Sequence, residues 1–326
     1  MDLVGDLRLV WEKNSRLVEK IKKSDCILQV EPTNFTGRVA AVDSGVACIN
    51  LSGIDVICIK PALDVFTYVN GSLTGSEFLP SKIPVPKSHC VYSDDNVSFS
   101  IYKSLHRLKE ELTLALRAVE QTDVLLMDGS IVIELSDKPS FDSVLFEKYK
   151  EICTLYAQLY EKCTEKKVTL VGVVKDSRGK RFSKHYFENI PLNEMPGSDD
   201  MLFSELLNPL QRTKALTYAK NPETHTLLAD IGGLSKDIHT FYVRTAKDAP
   251  LRIEYLTKNP EDDATKISSM LAGFTKNSKI GYPPILVNVD LRACIKPGEL
   301  ETSLGKENFD VLSTFNANRR DSRPFR

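Results

Sequence analysis

Asp43 and Asp128 each close an apolar β-type run, and each stands before a small, turn-forming pair: Val-Ala-Ala-Val-Asp43-Ser-Gly and Val-Leu-Leu-Met-Asp128-Gly-Ser. A carboxylate so placed leaves a buried strand and emerges at a sheet edge, where a ligand can reach it. A glutamate-bearing helix lies between them, so three acidic groups could converge on a divalent cation, which prefers hard oxygen ligands. Two such ions about 4 Å apart can activate water and stabilise the leaving oxygen of a phosphodiester. Without a cation, the clustered carboxylates would repel one another. An Asp before Ser-Gly or Gly-Ser is also a common turn former, so the inference rests on the joint pattern and its order.

In the helix expected over 98–120, Ile101, Leu105, Leu108, Leu112, Leu116 and Val119 form the apolar stripe. Glu110 projects almost opposite that stripe and reads as solvated. Glu111 falls on its flank, in a column with Ser104, Ala115 and Ala118, whose small size allows close approach to a sheet. Glu111 is therefore the glutamate best able to reach the strand ends.

Two further segments narrow the chemistry. A strand over 168–174 runs into Lys175-Asp-Ser-Arg178-Gly-Lys180-Arg181. Lys175 could neutralise a scissile phosphate, and Arg178, Lys180 and Arg181 could track a nucleic-acid backbone; a solvated basic turn is the competing reading. Tyr282 sits just ahead of a late helix opened by Pro283-Pro284, and Asp290 lies two turns into that helix among apolar residues. A carboxylate there wants a partner such as a metal or a base, unless it lies on an exposed face.

The elements that must position these groups can be read from periodicity. An amphipathic helix is expected over about 6–24, with Leu7, Val10, Trp11, Val18 and Ile21 on one side. Three β-type runs follow at 37–43, 45–51 and 54–60, with breaks short enough to favour an antiparallel meander. Next come a Pro/Ser-rich loop over 79–96, the helix at 98–120, a strand at 123–128, a helix at 141–165 and the strand at 168–174. A hairpin at 239–246 and 251–257 and helices at 261–274 and 283–295 complete the reading. That order is the topology of an α/β fold, an RNase H-like mixed β-sheet flanked by helices, with an α+β insertion before the C-terminal helix. We expect a single domain over 1–326. Its core covers about 36–175 plus 280–296, the insertion about 176–279, and a basic tail 316–326.

Composition bounds the partners. With 326 residues, 42% apolar and 27% charged, the chain is an ordinary globular protein. Its net charge of −1 means that any nucleic-acid surface must come from local clustering of cations. The seven cysteines show no CxxC or Cys/His knuckle spacing and are expected to be reduced thiols. The first residues lack a signal-type apolar region, and no apolar stretch approaches the ~18 residues of a membrane helix. A soluble, cytoplasmic protein without membrane partners is expected. Gly232-Gly233 is the only double glycine, and nothing around it resembles a nucleotide cradle, which argues against an actin- or sugar-kinase-type phosphotransferase.

Taken together, these motifs resemble the NurA nuclease family, prokaryotic partners of the HerA hexameric DNA translocase. The resemblance spans Ala-Val-Asp43-Ser-Gly, the Glu111-Leu-x-x-Ala helix, Leu-Leu-Met-Asp128-Gly-Ser and Gly-Val-Val-Lys175-Asp-Ser. It continues through Phe241-Tyr-Val-Arg and Leu251-Arg-Ile-Glu to Gly-Tyr282-Pro-Pro-x-Leu and Asp290. It implies a homodimeric, Mn²⁺- or Mg²⁺-dependent deoxyribonuclease with two ions, exonucleolytic and also endonucleolytic on single- or double-stranded DNA ends. The implied role is 5′→3′ resection in recombinational double-strand-break repair with a HerA-type ATPase, in a prokaryotic and archaeal setting. Asp43, Glu111, Asp128 and Asp290 would be metal ligands, Lys175 a phosphate contact, and Tyr282 a guide for the scissile strand. Asp290 stands where many family members carry histidine. An aspartate can still bind a hard cation, but it removes an imidazole that titrates near neutrality. That departure leaves a second reading, a weak or inactive adaptor that dimerises and binds the translocase.

Overall fold

The structure is a computed structural model. It describes residues 25–50, 54–92, 95–175 and 198–296, with single flanking positions at 12, 15, 18, 19, 21, 22, 179, 180, 182, 183, 298 and 299. At those flanking positions in the expected N-terminal helix the backbone is helical, with Val18 and Ile21 buried. Leu7, Val10, Trp11 and the basic tail lie outside the described residues.

After β1 (Ile27–Gln29) come two long strands, β2 (Gly37–Asn50) and β3 (Asp55–Val69), then β4 (Ser72–Leu79) and β5 (Lys87–Val91). Helix α1 (Asn96–Ala118), β6 (Val124–Asp128), α2 (Phe146–Lys166) and β7 (Thr169–Val174) follow in alternation. Beyond them lie α3 (Asp199–Leu206), β8 (Gln211–Thr213), β9 (Leu216–Thr217), α4 (Thr226–Ile231) and the hairpin β10 (Ile238–Arg244) and β11 (Leu251–Leu256). Two helices close the described chain, α5 (Pro260–Thr275) and α6 (Pro284–Ala293). No described helix is long and apolar enough to cross a membrane.

The described strands form one sheet in the order β1-β8-β10-β11-β7-β6-β2-β3-β4, with β5 on β3 and β9 on β10. β2, β6 and β7 run parallel, as alternation with α1 and α2 requires. The strands of the 176–279 interval join this sheet through antiparallel pairing of β11 with β7. On one face, α1 and α2 bury Leu105, Leu112, Tyr149 and Leu159 against Ala40, Val42 and Leu125. On the other, α5 and α6 bury Ile267, Leu271, Ile285 and Leu286 against Val39, Ala41 and Leu126. The sheet is thus covered on both sides, as a parallel centre demands.

Local signals set the helix that carries Glu111. Asp95 caps α1 by accepting from the backbone N–H groups of Val97 and Ser98. Leu105, Leu108, Leu112 and Ala115 then form its buried stripe, as their spacing predicts.

The reading of Asp43-Ser-Gly as a strand end requires correction. β2 runs unbroken from Gly37 to Asn50 and pairs with β3 from Gly37↔Tyr68 to Asn50↔Asp55, so the runs expected at 37–43 and 45–51 are one strand. What stops near Asp43 is the neighbour on its other side, because β6 pairs β2 only from Val39↔Val124 to Val42↔Met127. Gly45 is needed for close approach and not for a turn: a Cβ there would meet the carbonyl oxygen of Ala293 at 2.0 Å. Its absence lets the last turn of α6 rest on the β2 backbone.

The third run is also longer than its apolar pattern. β3 continues through Pro61 because β5 pairs it over Asp55–Ile59 and β4 over Leu63–Val69, so the proline falls in the gap between them. The loop expected over 79–96 contains β5. All seven cysteines are free thiols, four of them buried.

Gly45→Ala should therefore cost about 1–3 kcal/mol of stability through overpacking under α6. Urea denaturation provides the check; an unchanged midpoint would contradict the close approach.

Candidate metal centre

Side-chain alternation along β2 sends neighbouring residues to opposite faces. Val39 and Ala41 pack with α6, which places Asp43 on the same face; Ala40 and Val42 pack with α1, which places Ser44 there. β6 repeats the pattern, with Leu126 on the α6 face and Asp128 next in phase. The result is a centre built from two parallel strands and one helix. Asp43, Asp128 and Asp290 each offer one carboxylate oxygen within 4.8 Å of the others.

Asp128 is held from both sides. The Tyr282 hydroxyl donates to its Oδ1 at 2.7 Å, and the Lys175 ammonium to its Oδ2 at 3.2 Å. The same ammonium lies over the Tyr282 ring, 4.8 Å from its centroid, so the three side chains form one packed unit. After Asp128 the chain turns at Gly129, where φ is +116° and a side chain would be strained. The Gly129 N–H donates to the Val173 carbonyl at 3.0 Å.

Glu111 approaches from the α1 face and stands apart from the three aspartates. It is 4% exposed. Its Oε2 accepts from the Ser44 hydroxyl at 2.8 Å and from Arg107, one turn earlier on α1, at 2.7 Å. Ser44 thus connects the two faces: its side chain orients Glu111, and its N–H donates to the Asp43 carboxylate at 2.7 Å.

Burial and crowded negative charge act together on the acidic groups. Burial, together with Glu111, Asp128 and Asp290, raises the Asp43 pKa from 3.8 to about 7, against the opposing Ser44 hydrogen bond. Burial also raises Glu111, although Arg107 and Ser44 oppose it. Burial pulls the Lys175 ammonium down, but Asp128, with Asp290 and Asp43 behind it, carries its pKa above the ordinary lysine value.

Asp290 lies on an exposed part of α6, and its helix is anchored on either side of it. Asn288 donates to the wholly buried Asp64 at 2.5 Å, and Arg292 pairs with the same carboxylate. Arg292 also reaches the carbonyls of Leu63 and Lys82, each at 3.2 Å.

The sequence candidates divide cleanly. Asp43, Asp128, Asp290, Lys175 and Tyr282 meet in one place, with Glu111 close behind Asp43. Lys180 lies elsewhere, on the wall of a neighbouring cavity, and Arg178 and Arg181 fall outside the described residues. Glu110, expected to be solvated, pairs with Lys87 at 2.5 Å. Sequence reasoning missed the roles of Ser44, Arg107 and Asp64. Of these, only Arg107 left a signal, its four-residue spacing from Glu111 on a helix.

A mixed sheet with parallel β2, β6 and β7, helices on both faces and carboxylates gathered where the parallel pairing of β2 with β6 stops is an RNase H-like architecture. The NurA domain family model matches residues 37–295, so the chain belongs to the NurA family. No curated protein matches the sequence. Among solved structures, the NurA nuclease from Sulfolobus solfataricus is similar at 17% identity and a TM-score of 0.66, covering 96% of this chain and 95% of that one. A NurA structure with manganese matches at 11% identity and a TM-score of 0.57, covering 92% and 96% of the two chains. A NurA structure bound to dAMP and manganese matches at 12% and 0.55, covering 94% and 98%. At these identities the likeness establishes the fold.

The Asp43 shift fixes the sign of a pH effect. Without a cation, folded Asp43 holds its proton up to about pH 7, whereas the ordinary value is 3.8. The folded state therefore binds the extra proton between those values, and this group's stabilising contribution is full below about 3.8 and lost as pH rises through 7. Asp43→Asn should flatten that decline and raise the melting temperature of the metal-free protein at pH 8. Thermal melts in EDTA across pH test this, and a variant that melts lower at pH 8 would contradict it.

Proposed function

We propose that this chain is a divalent-metal-dependent nuclease that hydrolyses phosphodiesters in DNA. The observation that carries the reading is the convergence of Asp43, Asp128 and Asp290 within 4.8 Å. Three carboxylate oxygens are the donor set that Mn²⁺ and Mg²⁺ favour, and a cation would favour the ionised form of Asp43, which burial and then its acidic neighbours disfavour. Asp43, Asp128 and Asp290 would hold the metal, with Glu111 serving the same centre from the α1 face. When bound, the metal supplies charge neutralisation at the scissile phosphate and activation of water.

The remaining side chains have separable roles. Lys175 places a cation where a phosphate oxygen would lie, and its pairing with Asp128 keeps it there between turnovers. Tyr282 supports both groups, donating to Asp128 while its ring carries Lys175. Ionised carboxylate oxygens accept several hydrogen bonds each, so Asp128 can retain Tyr282 and still ligate.

Membership of the NurA family and a likeness to structures carrying manganese and dAMP support this reading. On the same footing we propose processing of DNA ends with 5′→3′ polarity in double-strand-break repair, a homodimer, and a HerA-type hexameric ATPase as partner. Asp290 bears on the adaptor alternative: its carboxylate meets the other two, which favours a working centre over a vestigial one.

Asp43→Ala and Asp128→Ala should each reduce cleavage of end-labelled linear DNA in Mn²⁺ by about 10³-fold or more, with folding intact. Mn²⁺ should raise the melting temperature of the natural chain and not that of these variants, with a larger gain at pH 8 than at pH 6. Full activity in either variant would overturn the site.

A further inference from the structure

The loops that seat Tyr282 in the metal centre also form a second feature, which the chemistry proposed above does not use. Gly281 is clasped by the β10–β11 loop: its carbonyl accepts from the Thr245 hydroxyl at 2.6 Å, and its N–H donates to the Asp248 carboxylate at 2.8 Å. On one side of this clasp Tyr282 reaches Asp128. On the other, the same loop and the segment between α5 and α6 wall a cavity of about 450 Å³. Lys247 comes from the loop, Lys276 and Lys279 from the segment.

The position of the cavity relative to the reacting groups follows from the sheet. β11 pairs antiparallel with β7, Arg252 opposite Val174, so the β10–β11 loop lies at the edge where β7 delivers Lys175. Lys279 stands three residues before Tyr282, which puts their Cα atoms at most about 11 Å apart. The floor is fixed as well. Leu210 takes φ +62°, a left-handed conformation that a bulky residue rarely enters. Its N–H donates to the Arg244 carbonyl at 2.6 Å, and its carbonyl accepts from the Val30 N–H at 2.8 Å.

The wall selects for a polyanion. On a chain of net charge −1, three exposed lysines line one cavity and no carboxylate does among the described residues. Asp248, the acid next to Lys247, is turned to the Gly281 and Ala249 N–H groups. None of the three ammonium groups has an ion-pair or hydrogen-bond partner among the described residues, so each is available to a ligand. No aromatic ring lines the space, which removes the usual platform for a base. Lysines over a floor of Pro32, Pro209 and Leu210 instead suit the sugar–phosphate backbone, whose contacts set position without reading sequence. An acidic protein would find the same charge, but the shared loops and shared sheet edge favour the molecule on which the centre acts.

We propose that this cavity is a phosphate anchor for a DNA strand, flanking the metal centre on the Tyr282 side. Lys247, Lys276 and Lys279 hold backbone phosphates beside the one that lies at Asp43, Asp128 and Asp290, and so set the register of the substrate on the centre. The placement of a reacting bond rests on the nuclease reading; capture of the strand by the lysines does not, and it is measured without cleavage.

The test compares the full chain with its triple variant Lys247→Gln/Lys276→Gln/Lys279→Gln. A fluorescein-labelled oligothymidylate in EDTA reports binding by anisotropy. The variant should bind about tenfold or more weakly, and its slope of log affinity against log salt should shrink by about 2, three phosphate contacts at about 0.7 each. Lys→Arg at all three positions keeps the charge and should keep the affinity. A control, Lys166→Gln/Lys167→Gln/Lys258→Gln, removes the same charge at the opposite sheet edge, where α2 runs into β7 and β11 ends, and should leave affinity unchanged. In Mn²⁺ the triple variant's KM for DNA should rise about tenfold while kcat holds. The anchor is overturned by unchanged affinity and slope in the triple variant, by no binding in the natural chain, or by an equal loss in the control, which marks general attraction. Displacement of the oligonucleotide by inorganic phosphate at equal concentration, the mark of a free-phosphate pocket, also overturns it. If the natural chain captures DNA through these lysines but cleaves nothing in Mn²⁺ or Mg²⁺, the nuclease reading fails and the anchor stands. Cleavage with affinity and KM unchanged in the triple variant does the reverse.

Discussion

Three carboxylates brought within 4.8 Å of one another repel, and the rest of the molecule is arranged to hold them there. Like charges in a partly buried site raise one another's pKa values or drive the groups apart. At Asp43 burial and then its acidic neighbours give the first outcome, raising its pKa from 3.8 to about 7. The second is prevented because each aspartate grows from a different rigid element. Asp43 and Asp128 stand on adjacent parallel strands at the heart of a continuous sheet, and Asp290 stands on a helix clamped across that sheet.

The clamp depends on contacts well away from the charges. Gly45 allows α6 to touch the β2 backbone, and Arg292 and Asn288 bind the helix to buried Asp64. A buried carboxylate with two such partners is costly to disturb, since losing one leaves charge stranded in the core. Lys175 and Tyr282 do the corresponding work at Asp128. Local stability is thus given up at the carboxylates and recovered in their surroundings, a common division at functional sites.

Much of this was legible in the sequence because the relevant signals are local. The α1 stripe from Ile101 to Val119 places Glu111 on the inner flank, and the apolar runs ending at Asp128 and Val174 mark parallel core strands. The Asp43 misreading has a specific cause. Ser-Gly after an apolar run carries turn chemistry, but here Ser44 serves Glu111 and Gly45 serves Ala293, partners 67 residues and far more distant in the chain. The third run, read as 54–60, is longer for a similar reason, since the place of Pro61 in β3 depends on where β4 and β5 stop. Asp64 was invisible for the same reason: Asn288 and Arg292, which make its burial possible, come from another segment.

The anchoring of α6 also orders events during synthesis. Asp43 and Asp128 belong to strands that pair within the continuous stretch from β2 to β7, whereas Asp290 arrives only after the whole 176–279 interval has emerged. A growing chain on the ribosome can therefore lay down the middle of its sheet while still lacking the third carboxylate. For a protein proposed to cut DNA, chain order would then act as a safety catch, because a truncated product could resemble the enzyme in shape without completing its chelate.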